Sequence, residues 1–96
     1  MIPLQLSAIA DVVGGELHGT DVHVTGSAYV DNRLPVAAGL FVAIVGERVD
    51  GHAFADGAHA VLGSRPTTAP TVVVDDPVAA LGRLARHLLD QLDVTV

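Results

Sequence analysis

The chain contains no cysteine, no lysine and no tryptophan, and its aromatic side chains are Tyr29, Phe41 and Phe54 alone. Without cysteine there is no disulfide, no thiolate nucleophile and no cysteine zinc site, and the redox compartment stays open. Without lysine there is no Schiff-base chemistry and no P-loop, whose lysine must reach the β- and γ-phosphates. With so few aromatics the core must be aliphatic. Basic charge is scarce too: five arginines (Arg33, Arg48, Arg65, Arg83, Arg86) face eleven acidic residues, for a formal net charge of −6. Nucleic acid is an unsuitable partner, because neutralising its phosphates needs clustered Lys and Arg. No apolar run nears the roughly 20 residues of a membrane span, and the N-terminus lacks the basic start of a signal peptide. A cytoplasmic domain away from the membrane is the expectation.

What is present fits one domain of 96 residues, half of them hydrophobic. Ser7 is placed to cap a helix over 8–13, with Ile9, Val12 and Val13 on one face, and Gly14-Gly15 ends it. Strands are expected over 16–18 and 22–25, with turn chemistry at Gly19-Thr20-Asp21, and over 28–30. A loop follows over 32–39. The apolar run 40–45 suits a strand buried on both faces. After the polar loop 46–51 come a short helix within 52–58, a strand over 60–62, a loop over 63–70 and a β-branched strand over 71–74. Asp76-Pro77 then reads as a helix cap followed by proline at the first helical position. That helix should run to about Gln91, with Val78, Leu81, Leu84, Ala85, Leu88, Leu89 and Leu92 as its apolar stripe. Val94-Thr95-Val96 resembles the start of another strand.

This alternation implies an α/β fold: a small mixed or mostly parallel sheet with helices covering its faces. In such sheets ligands gather at the carboxyl ends of the strands. Two polar loops leave from those ends. The first, Asp31-Asn32-Arg33, supplies an acceptor, an amide able to read the edge of a base, and a guanidinium suited to phosphate. From composition alone a strand-end turn with a structural Asp–Arg pair is the commoner reading of such residues. The second, Gly46-Glu47-Arg48-Val49-Asp50-Gly51-His52, has glycines for close backbone approach to a diphosphate. In it Arg48 is available for phosphate, and Asp50 or Glu47 for a ribose hydroxyl. It also reads as an ordinary connecting loop.

Elsewhere the chemistry is thin. His18, His23, His52, His59 and His87 form no i, i+4 pair and no ligand spacing, so no metal site is expected. Asp75-Asp76 is explained by the helix cap. Nucleophilic triads and Gly-rich dinucleotide motifs are missing from the sequence.

Several stretches, in this order along the chain, resemble the N-terminal domain of the Mur ligases. They are Met1-Ile2-Pro3-Leu4 with Ile9-Ala10 and Gly14-Gly15; Val30-Asp31-Asn32-Arg33; Gly39-Leu40-Phe41-Val42-Ala43; Gly46 to Ala55; and, farther on, Ala60-Val61-Leu62, Ser64-Arg65-Pro66 and Val72 to Pro77. The Gly-Glu-Arg-x-Asp-x-His-x-Phe-Ala stretch favours the branch that adds D-alanyl-D-alanine to UDP-N-acetylmuramoyl-tripeptide over the sister branch that adds the third residue.

The resemblance implies that residues 1–96 are a single N-terminal domain binding the UDP end of that precursor. ATP-binding and C-terminal ligase domains would act in cis, and ATP and Mg2+ would serve the full-length enzyme, with no cofactor in this chain. The family makes an acyl phosphate that the incoming amine attacks; without the ATP site this chain alone is expected to be inactive. Asp31, Asn32, Arg33 and Arg48 are the implied nucleotide contacts, with Glu47, Asp50 and His52 beside them. Arg65, Arg83 and Arg86 fall outside that site.

Two departures stand out. Asn32 occupies the position of a family Ser or Thr, and the crossover after Ala55 is several residues short. The family's phosphate loop would begin just past Val96. A module that keeps the fold for protein interaction is the rival from another class.

Overall fold

The computed structural model describes residues 3–46 and 50–93, with Leu92 and Asp93 described by backbone alone. The chain begins with β1 (Leu4–Gln5) and runs directly into α1 (Leu6–Val13). Gly14 ends α1 at φ 69° and ψ 33°, a left-handed conformation that favours glycine, and its N–H reaches Ala10 O. Next come β2 (Glu16–His18), β3 (His23–Val24), β4 (Ala28–Tyr29) and β5 (Leu40–Val42). A 3-10 turn over Gly51–Phe54 precedes β6 (Ala60–Gly63), β7 (Thr71–Val73) and α2 (Pro77–Asp93).

Five strands make the main sheet in the order β2-β7-β6-β5-β4, and β1 and β3 form a separate antiparallel pair. β4, β5, β6 and β7 run parallel, while β2 is antiparallel to β7. The fold is therefore the mostly parallel α/β sheet that the element order implies.

The side-chain alternation of the strands divides the core in two. Leu40, Val42, Leu62 and Val72 pack with Leu6, Ile9 and Val13 of α1 and with Ala80 and Leu84 of α2. Phe41 and Val61 point the other way, against Ala55 and Ala69, with Tyr29 and Ala58 alongside. Both α-helices thus cover one face. The other is closed by the 3-10 turn and two loops, instead of by a helix on each side as expected. The reason lies in the connections. Parallel strands are usually joined by a crossover of about a dozen residues or more, yet β6 reaches β7 through 64–70 with no helix. That loop is braced from within: Thr71 Oγ1, fully buried, donates to Ala69 O at 2.9 Å and lies 2.7 Å from Thr67 Oγ1. Thr68 Oγ1 donates to Asp56 Oδ1 at 3.1 Å, tying this loop to the preceding crossover.

That preceding crossover, expected to be tight after Ala55, closes with a single turn. Ala58 N–H donates to Ala55 O, and Gly57 takes φ +80°. The helix expected within 52–58 is accordingly only the 3-10 turn.

Other expectations need adjusting. Ser7 does not cap α1: the cap position is Gln5, which makes no side-chain cap bond. The strands expected over 22–25, 28–30 and 40–45 are shorter, because only His23–Val24, Ala28–Tyr29 and Leu40–Val42 find ladder partners. On α2 the Asp76 cap is present, its Oδ1 accepting from the N–H groups of Val78 and Ala79. Its buried face is Ala80 and Leu84, with Leu81 and Leu88 packed beside them, whereas Val78, Ala85 and Leu89 are exposed. The expected stripe was too broad and omitted Ala80. The strand expected at Val94-Thr95-Val96 lies outside the described residues.

Candidate functional site

A cleft of about 620 Å³ opens at the carboxyl ends of β4 and β5. Its polar wall is Asp31, Asn32 and Arg33, which leave β4 just after Val30. Phe41, Ile44 and Phe54 supply apolar surface with Val30, and Gly46 and Gly51 contribute bare backbone. The two loops singled out in the sequence therefore meet at one cleft, as the parallel strand arrangement requires. Phe41 is buried in the core beneath, with its ring centroid 5.4 Å from that of Tyr29, while Phe54 is 45% exposed at the rim.

Asp31 and Arg33 hold each other. Arg33 Nε donates to Asp31 Oδ1 and Nη2 to Oδ2, both at 3.0 Å, and the Arg33 N–H also donates to Oδ1. The hydrogen-bonding Arg33 side chain and N–H hold the Asp31 carboxyl below the usual carboxylate value. The structural pair and the cleft-facing turn are thus one arrangement. The pair sets the turn, and the Arg33 side chain remains 84% exposed, with Nη1 outside these bonds. Asn32 is exposed at the tip between them.

The second loop is closed at its base. Val45 and Asp50 form an isolated antiparallel bridge, and the Gly51 N–H donates to Ile44 O at 2.8 Å. A Cβ on Gly51 would lie 2.7 Å from Ile44 N and 2.9 Å from Ile44 O, so only glycine allows this approach. Glu47 and Arg48, both expected at the nucleotide, lie outside the described residues.

Asp50 and His52 line none of the cleft described above and turn inward. Asp50 Oδ1 accepts the His52 N–H at 2.9 Å and meets His52 Nδ1 at 2.6 Å, and Oδ2 lies 2.6 Å from Arg65 Nη1. His52 Nε2 accepts the Ser64 N–H at 2.9 Å. An N–H donor aimed at Nε2 requires a lone pair there, so the proton sits on Nδ1 and is donated to Asp50. With its side chain 2% exposed and both ring nitrogens used, His52 joins the loop to the end of β6 and has no nitrogen left for a ligand. Hydrogen bonds from the His52 side chain, the His52 N–H and Arg65, in that order, drive the Asp50 carboxyl far below the ordinary range.

The sequence reading missed Arg65 at this loop, and it missed Val30, Ile44 and Phe54 as cleft walls. Nothing distinguishes a lining apolar residue from a core one until the sheet order is known. The Ser64-Arg65-Pro66 stretch carries part of the family resemblance, but its link to Asp50 spans two strand ends. A separate cleft of about 550 Å³ beside Gly14, Glu16, Asp75 and Arg83 contains none of the expected site residues. Arg83 there donates to Val13 O at 3.1 Å.

The residues of this chain do not fit ATP: a phosphate loop needs a lysine, and the sequence has none. Among the described residues no three His, Asp or Glu side chains gather as metal ligands, and no helix is long and apolar enough to cross a membrane.

The chain thus forms a small, mostly parallel α/β sheet with a polar–apolar cleft at its strand ends. Comparison with known proteins narrows this class. No family model matches the chain. It is 39% identical over 103 residues to the UDP-N-acetylmuramoyl-tripeptide--D-alanyl-D-alanine ligase of Escherichia coli K12, covering 100% of this chain and 23% of the relative. Identity to the ligase of the same name from Mycobacterium leprae is 40% over 105 residues, covering 97% of this chain and 20% of that one. A crystal structure of MurF from Acinetobacter baumannii superposes with a TM-score of 0.70 at 25% identity, over 85% of this chain and 20% of the other. The chain belongs to the Mur ligase family, and what it matches is the N-terminal part of MurF. It spans about a quarter or less of the length of these relatives.

Proposed function

We propose that this chain is the domain of a MurF-type ligase that binds the UDP end of UDP-N-acetylmuramoyl-tripeptide. The observation that carries the reading is the meeting of Asp31-Asn32-Arg33 with Gly46, Gly51 and Phe54 around one cleft. A nucleoside diphosphate needs a flat apolar surface for its base, a donor–acceptor group for the base edge, and cationic or backbone N–H groups for phosphate. Phe54 and Val30 supply the first and Asn32 the second. Arg33 and the glycine-bounded loop supply the third. Arg48 and Glu47 belong to that loop and are assigned to phosphate and ribose. Asp50 and His52 hold the loop and do not touch the nucleotide.

The complete protein then carries out ATP-dependent amide formation in peptidoglycan precursor synthesis, in the cytoplasm, with ATP and Mg2+ held by other domains in cis. This chain contributes binding and orientation, and by itself is inactive. Residues 1–96 act as one binding unit. The MurF branch is favoured over its sister by the names of the relatives.

Titration of the 96-residue chain with UDP, followed by NMR, tests the proposal. Amide shifts should concentrate at 31–33 and 46–51. Shifts clustered elsewhere, or no saturable change at high millimolar UDP, would overturn it.

A further inference from the structure

We propose that Arg65, outside the cleft, is a positioning residue for nucleotide binding: by holding the Asp50 carboxylate it fixes the Gly51 wall of the cleft. This rests on the nucleotide reading above and adds a residue to it.

Gly51 lines the cleft together with Ile44, and the two are locked backbone to backbone by the 2.8 Å hydrogen bond and the absence of room for a Cβ. A small displacement of the chain at residue 50 therefore moves the wall of the cleft itself. Asp50 is held by its carboxylate at two points. Oδ1 is bonded within its own turn, to the N–H and Nδ1 of His52. Oδ2 is bonded across to Arg65.

The second anchor matters because of where Arg65 is rooted. It follows Ser64, whose N–H donates to His52 Nε2, directly after β6, which is buried along its whole length. Arg65 and Ser64 thus tie the loop to the sheet through two separate bonds. An ion pair as exposed as this one adds little to stability. The Arg65 side chain is 54% exposed and that of Asp50 34%. The consequence of the pair is orientation.

The experiment measures UDP affinity by NMR titration, and the melting midpoint, for the wild-type chain, R65A, D50N, the double variant and R65K. D50N keeps an Oδ1 acceptor for His52 and removes the charge facing Arg65. R65A and D50N should each weaken UDP binding by about three- to fivefold, the range that a partly exposed ion pair can transmit. The double variant should be no worse than either single one, R65K should recover most of the affinity, and the midpoints of R65A and R65K should stay close to wild type. Additive losses would mean that Arg65 touches the nucleotide directly, and unchanged affinity with a lowered midpoint would mean a purely structural pair; either overturns the proposal.

If the wild-type chain binds no UDP, the nucleotide reading itself has failed. The loop-holding role is then decided by amide exchange at Gly51 and His52. Faster exchange in R65A upholds that role, and unchanged exchange removes it.

Discussion

Asp21 caps α1 from outside the helix: its Oδ1 accepts the Ser7 N–H at 3.0 Å and its Oδ2 accepts the Ser7 hydroxyl at 2.7 Å. Ser7 was expected to be the cap, yet it sits inside the first turn and is itself held. A side-chain oxygen satisfying a free N–H of the first turn is ordinary capping physics. Here the oxygen comes from fourteen residues away and so also ties α1 to the segment before β3. Asp21→Ala and Ser7→Ala should each lower the melting midpoint by a few degrees. The double variant should lose less than the sum, because both remove the bond between the Ser7 hydroxyl and Asp21 Oδ2. Thermal melts followed by circular dichroism check this, and full additivity would contradict it.

Acid should destabilise the chain in a predictable window. Asp21, Asp31 and Asp50 are all lowered from 3.8, chiefly by hydrogen bonds from Ser7, Arg33 and His52 respectively. A carboxylate with a lowered folded-state value binds its proton more readily when unfolded. Its stabilising contribution is present above the unfolded value and is lost as pH falls below that value toward the folded one. The contribution of these three carboxylates to the denaturant midpoint should therefore be lost as pH falls below about 4. D21N should remove part of that loss.

The two phenylalanines should separate binding from folding. Phe54 is half exposed at the rim, so F54A should fold and weaken UDP binding by about tenfold, the lower part of the range for losing a base–aromatic contact. Phe41 is 2% exposed, and F41A should cost about 3–5 kcal/mol of stability by leaving a cavity. UDP titration of the first variant and urea denaturation of the second measure the two effects.

Gly63 faces His52 so closely that an added Cβ would lie 2.8 Å from Nε2 and 3.0 Å from Cδ2. G63A should push the imidazole off the Ser64 N–H and destabilise the chain by about 1–3 kcal/mol, the usual cost of overpacking. Ring-nitrogen NMR should find Nε2 unprotonated and Nδ1 protonated in wild type, and that pattern disturbed in the variant.

Most of the element order was legible because its signals are local. Gly14 ends α1 and Asp76 starts α2 through bonds within a few residues, and the apolar run at 40–42 needs only its neighbours to be recognised. The polar half of the cleft was legible for the same reason: Asp31, Asn32 and Arg33 form a polar turn directly after a strand. The apolar half was not. Val30, Ile44 and Phe54 look like core residues until their strand ends are assembled. His52 stands in the motif-bearing loop, and only the assembled fold places its two ring nitrogens on Asp50 and Ser64.

By itself the sequence determined the α/β class, the two helices, the parallel strand ends carrying polar loops, and the absence of a phosphate-binding lysine. Composition and short-range periodicity encode these. Only the tertiary structure decided that both helices lie on one face, that β2 joins the sheet antiparallel beside β7, that Asp21 caps α1, and that Arg65 reaches Asp50. Each of these depends on which strands become neighbours. Sheet order is set by the burial of both faces at once, and that is a property of the whole chain.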